Sequence, residues 1–238
     1  MKLAERRPPD SEMTNPALHL DILSAAQRRL WDELVDVPGS FVLYGGTAIA
    51  LHLRHRRSVD FDLFGTERFD PDVLYRTLPF LSGSLVVQKS PDTLNCVVER
   101  GGNVQISFFG VPEIKPIEAP LIAPGNGLHV AALIDLAGMK AAVVQKRAEA
   151  KDYIDIDALI GRGSIGLPLA LAAGKRIYGQ GFNPEITLKA LSFFEDGDLG
   201  SVPNAIRDRL ADAVRAVDLD RLPLLASGAM SRDPGCRR

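Results

Sequence analysis

Apolar positions along the chain change their period several times, and each change marks an element. Over residues 16–37, Leu20, Leu23, Ala26, Leu30, Leu34 and Val37 recur at helical spacing, which predicts one helix ended by Pro38-Gly39. Residues 41–44 form a short apolar run, and Gly45-Gly46-Thr47 precedes a helix-compatible segment to Leu53. A basic turn, His55-Arg56-Arg57-Ser58, leads into a run in which Asp60 and Asp62 alternate with Val59, Phe61 and Leu63, the pattern of a strand. Residues 71–81 predict a helix with proline in its first turn. Residues 84–88, 94–99 and 104–109 read as strands, the last two joined by the hairpin turn Gly101-Gly102-Asn103. Residues 112–127 carry four prolines and two glycines and mark a domain boundary. Beyond them the pattern is helical, over 131–150, 151–161, 167–178, 184–194 and 203–217. The expectation is therefore an α/β (α+β) chain. Residues 1–125 hold a mixed sheet flanked by helices, with 1–15 disordered, and 126–238 hold a helical domain whose tail frays after Gly228.

The stretch from Phe41 to Phe64 carries the chemistry. Strand, glycine turn, helix, then strand with paired carboxylates suggests a site for a metal-bound nucleoside triphosphate. Glycines let a phosphate approach the backbone and tolerate positive φ, and the N–H groups of a turn and helix start attract anions. A branched side chain at Gly46 is expected to block that approach and resist a positive φ there. Thr47 can cap the helix or hydrogen-bond a phosphate. Residues i and i+2 of a strand share a face, so Asp60 and Asp62 project together while Val59, Phe61 and Leu63 pack behind. Two adjacent carboxylates repel, and Mg²⁺ (or Mn²⁺), which takes few protein carboxylates plus water and phosphate oxygens, relieves that cost. Taken singly, a Gly-Gly is also an ordinary tight turn, and alternate aspartates can be an exposed face. Arg56-Arg57 suit phosphate contact and a solvated turn equally.

A second constellation lies in LAGMKAAVVQKRAEAKDYIDIDALI, residues 136–160. Lys140, Arg147 and Lys151 stand at spacings of 7 and 4, near one helical face, and Asp152, Asp155 and Asp157 follow. By itself this reads most often as a solvated, salt-bridged face.

The string GGTAIALHLRHRRSVDFDLF resembles the nucleotidyltransferase signature of a glycine pair followed by alternating aspartates. Within that superfamily it is similar to the AbiEii/AbiGii-type toxins, in which a His-Arg-x-Ser segment precedes the aspartates. Here His55, Arg56 (or Arg57) and Ser58 occupy that segment. The second constellation also resembles a helical motif of the family, and FNPEITLKALSFFEDGD, residues 182–198, looks like its C-terminal helix. The resemblance spans residues 41–198. It implies a nucleotidyltransferase-like fold whose helical domain closes the nucleotide cleft. It implies Asp60 and Asp62 as metal ligands, and Gly45, Gly46, Thr47, Arg57, Ser58, Lys140 and Arg147 as nucleotide ligands. Lys140 is further implied to act on the triphosphate in catalysis, and Asp155 to be a catalytic acid, with Asp152, Lys151 and His55 as further site candidates. The implied activity is transfer of a nucleotidyl group from an NTP to an acceptor hydroxyl, as the toxin of a toxin–antitoxin or phage-defence pair. The acceptor implied is tRNA, and the implied partner is a cognate antitoxin protein. Many nucleotidyltransferases place a third carboxylate on a later strand, where this chain has Ser107, and serine is neither a charged metal ligand nor a strong base. The third acid is then expected from Asp155, or from Glu99. Two alternatives stay open: a small-molecule, antibiotic-type nucleotidyltransferase with an acidic pocket, and a catalytically degenerate nucleotide-binding protein.

Composition narrows this picture only a little. The 238 residues carry a formal net charge of −2, with 46% hydrophobic and 24% charged residues, so any RNA contact needs a local basic patch. Cys96 and Cys236 are the only cysteines, which argues against a disulfide framework or a cysteine zinc site. The first residues, MKLAERRPPDSEM, lack an apolar signal core, and no apolar run is long enough to span a bilayer. The expectation is a cytoplasmic protein without membrane contact.

Overall fold

In a computed structural model that describes residues 18–225, the short apolar runs pair into one mixed sheet. The strands are β1 (Phe41–Tyr44), β2 (Asp60–Gly65), β3 (Leu85–Ser90), β4 (Thr93–Glu99), β5 (Asn103–Gly110), β6 (Leu121–Ile122) and β7 (His129–Val130). Their spatial order is β3-β4-β5-β2-β1-β7-β6. β2 runs parallel to β5 and β1 parallel to β7, and the other pairs are antiparallel. The helices are α1 (Ala25–Glu33), α2 (Gly45–Leu53), α3 (Pro71–Thr77), α4 (Leu133–Val143), α5 (Ala150–Gly161), α6 (Leu167–Tyr178), α7 (Pro184–Ala190) and α8 (Asn204–Arg215). The expected α/β architecture is borne out. The expectations for residues 1–15, for the tail after Gly228 and for Cys236 lie outside the described residues.

Two buried clusters hold this arrangement. The first joins the sheet to α1 and α2, where Trp31 meets Phe61 with ring centroids 6.1 Å apart. The second, around Leu171, Leu191 and Leu210, is shared by the helices from α4 onward. α4 belongs to both: Leu136 and Ala137 pack on the sheet cluster, Ala141 and Ala142 on the helical one. Its Gly138 lies so close to α6 that an added Cβ would stand 2.8 Å from the Ala173 backbone. That contact sets the close approach of α4, which carries Lys140, to α6.

Several boundaries differ from the sequence expectation, each for a local reason. Residues 16–37 are not one helix. A 3₁₀ turn at Leu20–Ile22 comes first, Ser24 then opens α1 with a reciprocal capping box to Gln27, and a second 3₁₀ turn closes the segment. The helix expected over 71–81 stops at Thr77, because Leu78 is extended before Pro79. The sheet continues past the expected boundary at 125, since β7 pairs with β1. The helix expected over 131–150 breaks at Val143, and α5 begins only at Ala150. Lys140 and Asp152 are twelve residues apart, about 18 Å along a continuous helix. Their ion pair, at 2.5 Å, requires the chain to fold back.

Candidate active site

β2 exposes its chemistry by simple alternation. Phe61 and Leu63 are fully buried, while Asp60, Asp62 and Phe64 share the opposite, half-buried face. In register beside them on β5 stand Gln105, Ser107 and Phe109. This face forms the floor of a cleft of about 580 Å3, roofed by α4 and the turn that follows it. Asp60 and Asp62 both line the cleft, and neither carboxylate has a hydrogen bond or ion pair with any described residue. Burial, with Asp60 beside it, pushes the Asp62 carboxyl above its ordinary range, against the pull of Lys140, Arg147 and Lys151.

The glycine turn fits closely against this pair. Gly45 starts α2 with φ +72°, and a Cβ there would stand 2.5 Å from Asp62 Oδ2. The positive φ thus falls on Gly45 and not, as expected, on Gly46. At Gly46 a Cβ would collide with the Arg56 guanidinium and come within 3.0 Å of Ser58 Oγ. Both glycines line the cleft. Thr47 does not. It is the third residue of α2, is buried, and donates its hydroxyl to the Asp60 carbonyl. The expectation of a phosphate ligand or helix cap at Thr47 is corrected: its hydroxyl is spent fastening α2 to the strand that carries the aspartates.

Six cations line the cleft, Arg56, Arg57, Lys140, Lys146, Arg147 and Lys151, against the two acids Asp60 and Asp62. A chain of net charge −2 therefore concentrates cations at one cavity, four of them also paired with Glu149, Asp152 or Asp155. The side chains of Arg57 and Lys146 form no ion pair with any described residue. Lys151 pairs with Glu149 at 2.9 Å and Arg147 with Asp152 at 2.8 Å. Lys140, Arg147 and Lys151 do not share one helical face, as expected, but come from the end of α4, the turn and the start of α5. Lys146 escaped the sequence reading because only the break after Val143 turns it inward.

Asp155 is not in the cleft. Its carboxylate is fully buried, accepts three hydrogen bonds and forms a further ion pair. Oδ1 receives His55 Nε2 at 2.7 Å and Arg56 Nε at 2.6 Å, while Oδ2 receives Arg56 Nη2 at 2.9 Å and stands 2.8 Å from Lys140 Nζ. Buried and enclosed by three basic side chains, this carboxylate is committed to the protein's own cations. Burial pushes this carboxyl up, but the His55 hydrogen bond, Lys140 and Arg56 overcome it and hold the group far below the usual carboxylate range. The expectation that Asp155 faces the cleft as a third acid is therefore not met. Asp152 is likewise fully buried, bound by Lys140 and Arg147. His55 is buried too, its Nε2–H directed to Asp155 and its Nδ1 without a partner. Glu99, the other expected source, caps the hairpin N–H groups of Gly101 and Gly102. Ser107 sits in register with Asp62 and is buried, so the position of an expected third carboxylate is held by a hydroxyl.

Lys140 links the two constellations. Its ammonium hydrogen-bonds Asp152 and forms an ion pair with Asp155, and the side chain still borders the cleft, where its charge can meet a ligand. Among the described residues no cluster of three His, Cys, Asp or Glu side chains surrounds a metal-sized space. Two unpaired carboxylates on one face are a hard-oxygen donor set suited to a Mg²⁺ ion that keeps water and phosphate ligands. The residues fit such an ion.

A family model described as nucleotidyl transferase AbiEii toxin, Type IV TA system, matches residues 29–223. The chain is 29% identical over 178 residues to the uncharacterized protein aq_aa25 of Aquifex aeolicus (strain VF5), covering 73% of this chain and 84% of that protein. Its fold is similar to that of MenT4, nucleotidyltransferase toxin Rv2826c from Mycobacterium tuberculosis H37Rv. That match has a TM-score of 0.54 at 17% identity and covers 81% of this chain and 84% of MenT4. Among the described residues no helix is long and apolar enough to cross a membrane. The chain belongs to the AbiEii nucleotidyl transferase toxin family and is an enzyme of nucleotidyl transfer, as its sequence resemblance implied.

Proposed function

We propose that this AbiEii-family chain uses Mg²⁺ (or Mn²⁺) to transfer a nucleotidyl group from an NTP to a hydroxyl of an RNA acceptor, with tRNA as that acceptor. It would act in the cytoplasm as a toxin held in check by a cognate antitoxin protein. The observation that carries this reading is the unpaired Asp60–Asp62 rung at the mouth of a glycine turn, inside a cavity lined by six cations. Such a cavity suits two polyanions, a triphosphate and an RNA end, and disfavours a cationic antibiotic, so the small-molecule alternative finds no support in it.

Asp60 and Asp62 would hold the metal, which when bound polarises the α-phosphate and offsets charge on the attacking and leaving oxygens. Gly45 and Gly46 admit the phosphates to the start of α2, where backbone N–H groups point outward. Arg57, Ser58 and Lys146 line the same cavity and would bind phosphate oxygens, Arg57 and Lys146 with charges that no carboxylate among the described residues engages. The acceptor hydroxyl gives up its proton to solvent, and its oxygen bonds to the α-phosphorus as the bond to pyrophosphate breaks. The charge of Lys140 at the cleft wall is available to the departing pyrophosphate. Asp155 would act as a positioning residue, holding Lys140 and the His55–Arg56 turn from behind. Incubation with each labelled NTP, Mg²⁺ and total tRNA tests the reading: label should enter RNA only with metal present. Tight Mg-NTP binding without transfer to any RNA would instead favour a degenerate nucleotide-binding protein with Ser107 in place of the missing acid.

A further inference from the structure

The far end of the cleft floor carries a feature that phosphate binding does not explain. The same sheet face that presents Asp60 beside Gln105, and Asp62 beside Ser107, presents Phe64 beside Phe109 one rung further on. Their rings lie 5.0 Å apart at 35°, and Tyr44 braces Phe64 edge-on at 5.4 Å. Aromatic rings on the other face of these strands, Phe61 and Phe108, are completely buried. Phe64 and Phe109 are instead half-buried and border the cavity, with Met139 of α4 bordering it as well. A soluble protein gains by covering such rings, so an apolar pair left open inside a basic cleft points to a ligand with one charged end and one flat apolar end.

We infer that the Phe64–Phe109 rung is the platform on which the base of the bound NTP stacks. This rests on the proposed nucleotidyl transfer. Successive same-face positions on a strand are about 7 Å apart, so the platform lies a single rung past Asp62. That is within the span of one nucleoside whose phosphates sit at the aspartates. Arg57 and Ser58 enter at the opposite end of β2, so charged and aromatic groups are segregated along the strand as they are along a nucleotide. Aromatic stacking accepts any base because each has a π-face, so the platform contributes affinity with little choice among the four NTPs.

Calorimetry on the full chain with Mg²⁺, comparing an NTP with inorganic tripolyphosphate, tests the inference. Phe109→Leu keeps apolar volume but removes the ring, and should weaken NTP binding by about tenfold, within the range for loss of one base–aromatic stack. Tripolyphosphate affinity should be unchanged, and Phe109→Tyr should restore the NTP value. A Phe109→Trp variant gives an optical readout, because the native Trp31 is buried against Phe61. NTP should quench the new fluorophore and tripolyphosphate should not. The inference is overturned if Phe109→Leu binds NTP normally, if both ligands weaken equally, or if only affinity for RNA falls, which would assign the platform to an acceptor base. Failure of the wild-type chain to bind Mg-NTP at all would instead overturn the transferase reading on which the platform rests.

Discussion

Asp60 and Asp62 stand two residues apart on a strand; Asp152 and Asp155 stand three apart on a helix. Each spacing places two carboxylates on one side of its element, and from spacing alone either pair is a candidate site. Their surroundings are opposite. The strand pair borders the cleft with no described hydrogen-bond or ion-pair partner, and burial beside a like charge pushes Asp62 up. The helix pair is fully buried, and Lys140, Arg147, Arg56 and His55 saturate it. The comparison teaches that an acid's availability is set by its donors. A carboxylate left unsatisfied in a basic cavity can take a metal, whereas one buried among its own cations serves the scaffold.

The largest expected effect that sharpens this contrast is on rate. On the proposed reading, Asp60→Asn/Asp62→Asn removes the anchor of a bound metal, whose charge stabilisation is worth several kcal/mol, so transfer should fall by roughly 1000-fold or more. The melting temperature should hold or rise, because a like-charge repulsion disappears. Unchanged Mg-NTP affinity in a folded double variant would break the comparison from the cleft side.

Next comes stability at the buried pair. Asp155→Ala leaves His55, Arg56 and Lys140 without their shared anion, and breaking a buried pair in this way costs about 3–5 kcal/mol. For a chain of this size that lowers the melting temperature by roughly 6–20 °C. Both buried carboxyls sit below their unfolded values, so their contribution is complete above about pH 4 and is lost as pH falls further. Acid melts should show that loss in the wild type and less of it in Asp155→Ala. A variant that melts normally yet transfers nothing would return Asp155 to the cleft as a catalytic acid.

Smaller still is Gly45→Ala. A side chain at φ +72° costs about 1–2 kcal/mol, and here it also pushes on Asp62, so Mg-NTP affinity should drop together with stability. Gly46→Ala should act chiefly through Arg56 and Ser58, and equal effects at the two positions would show that the turn does not discriminate between them. The least change is expected from Ser107→Asp. Ser107 is buried in register with Asp62, so burial and the neighbouring carboxylate favour the neutral form of the new acid, and the rate should change by less than about tenfold, 1.36 kcal/mol. A gain of several orders of magnitude would mark the natural protein as a weakened enzyme.

The sequence by itself determined the local order of the fold. Alternation around Asp60 and Asp62 put both on one face because the period of a strand is fixed by covalent geometry. The α/β class, most strands and α6 followed from runs whose burial depends only on neighbours in sequence. Those features, together with the string from Gly45 to Phe64, were enough to reveal the family. What only the tertiary structure decided depends on contacts across long separations. Asp155 meets His55 and Arg56 across 100 and 99 residues, and no periodicity announces such a pairing. The break after Val143, which turns Lys146 and Arg147 into the cleft, contains no proline or glycine and brings Lys140 back to Asp152. Thr47 read as candidate chemistry until the packing buried it. Sequence spacing fixes which way a side chain leaves its own element; what waits there is supplied by other elements, and that decides whether a charge is spent on the fold or kept for a ligand.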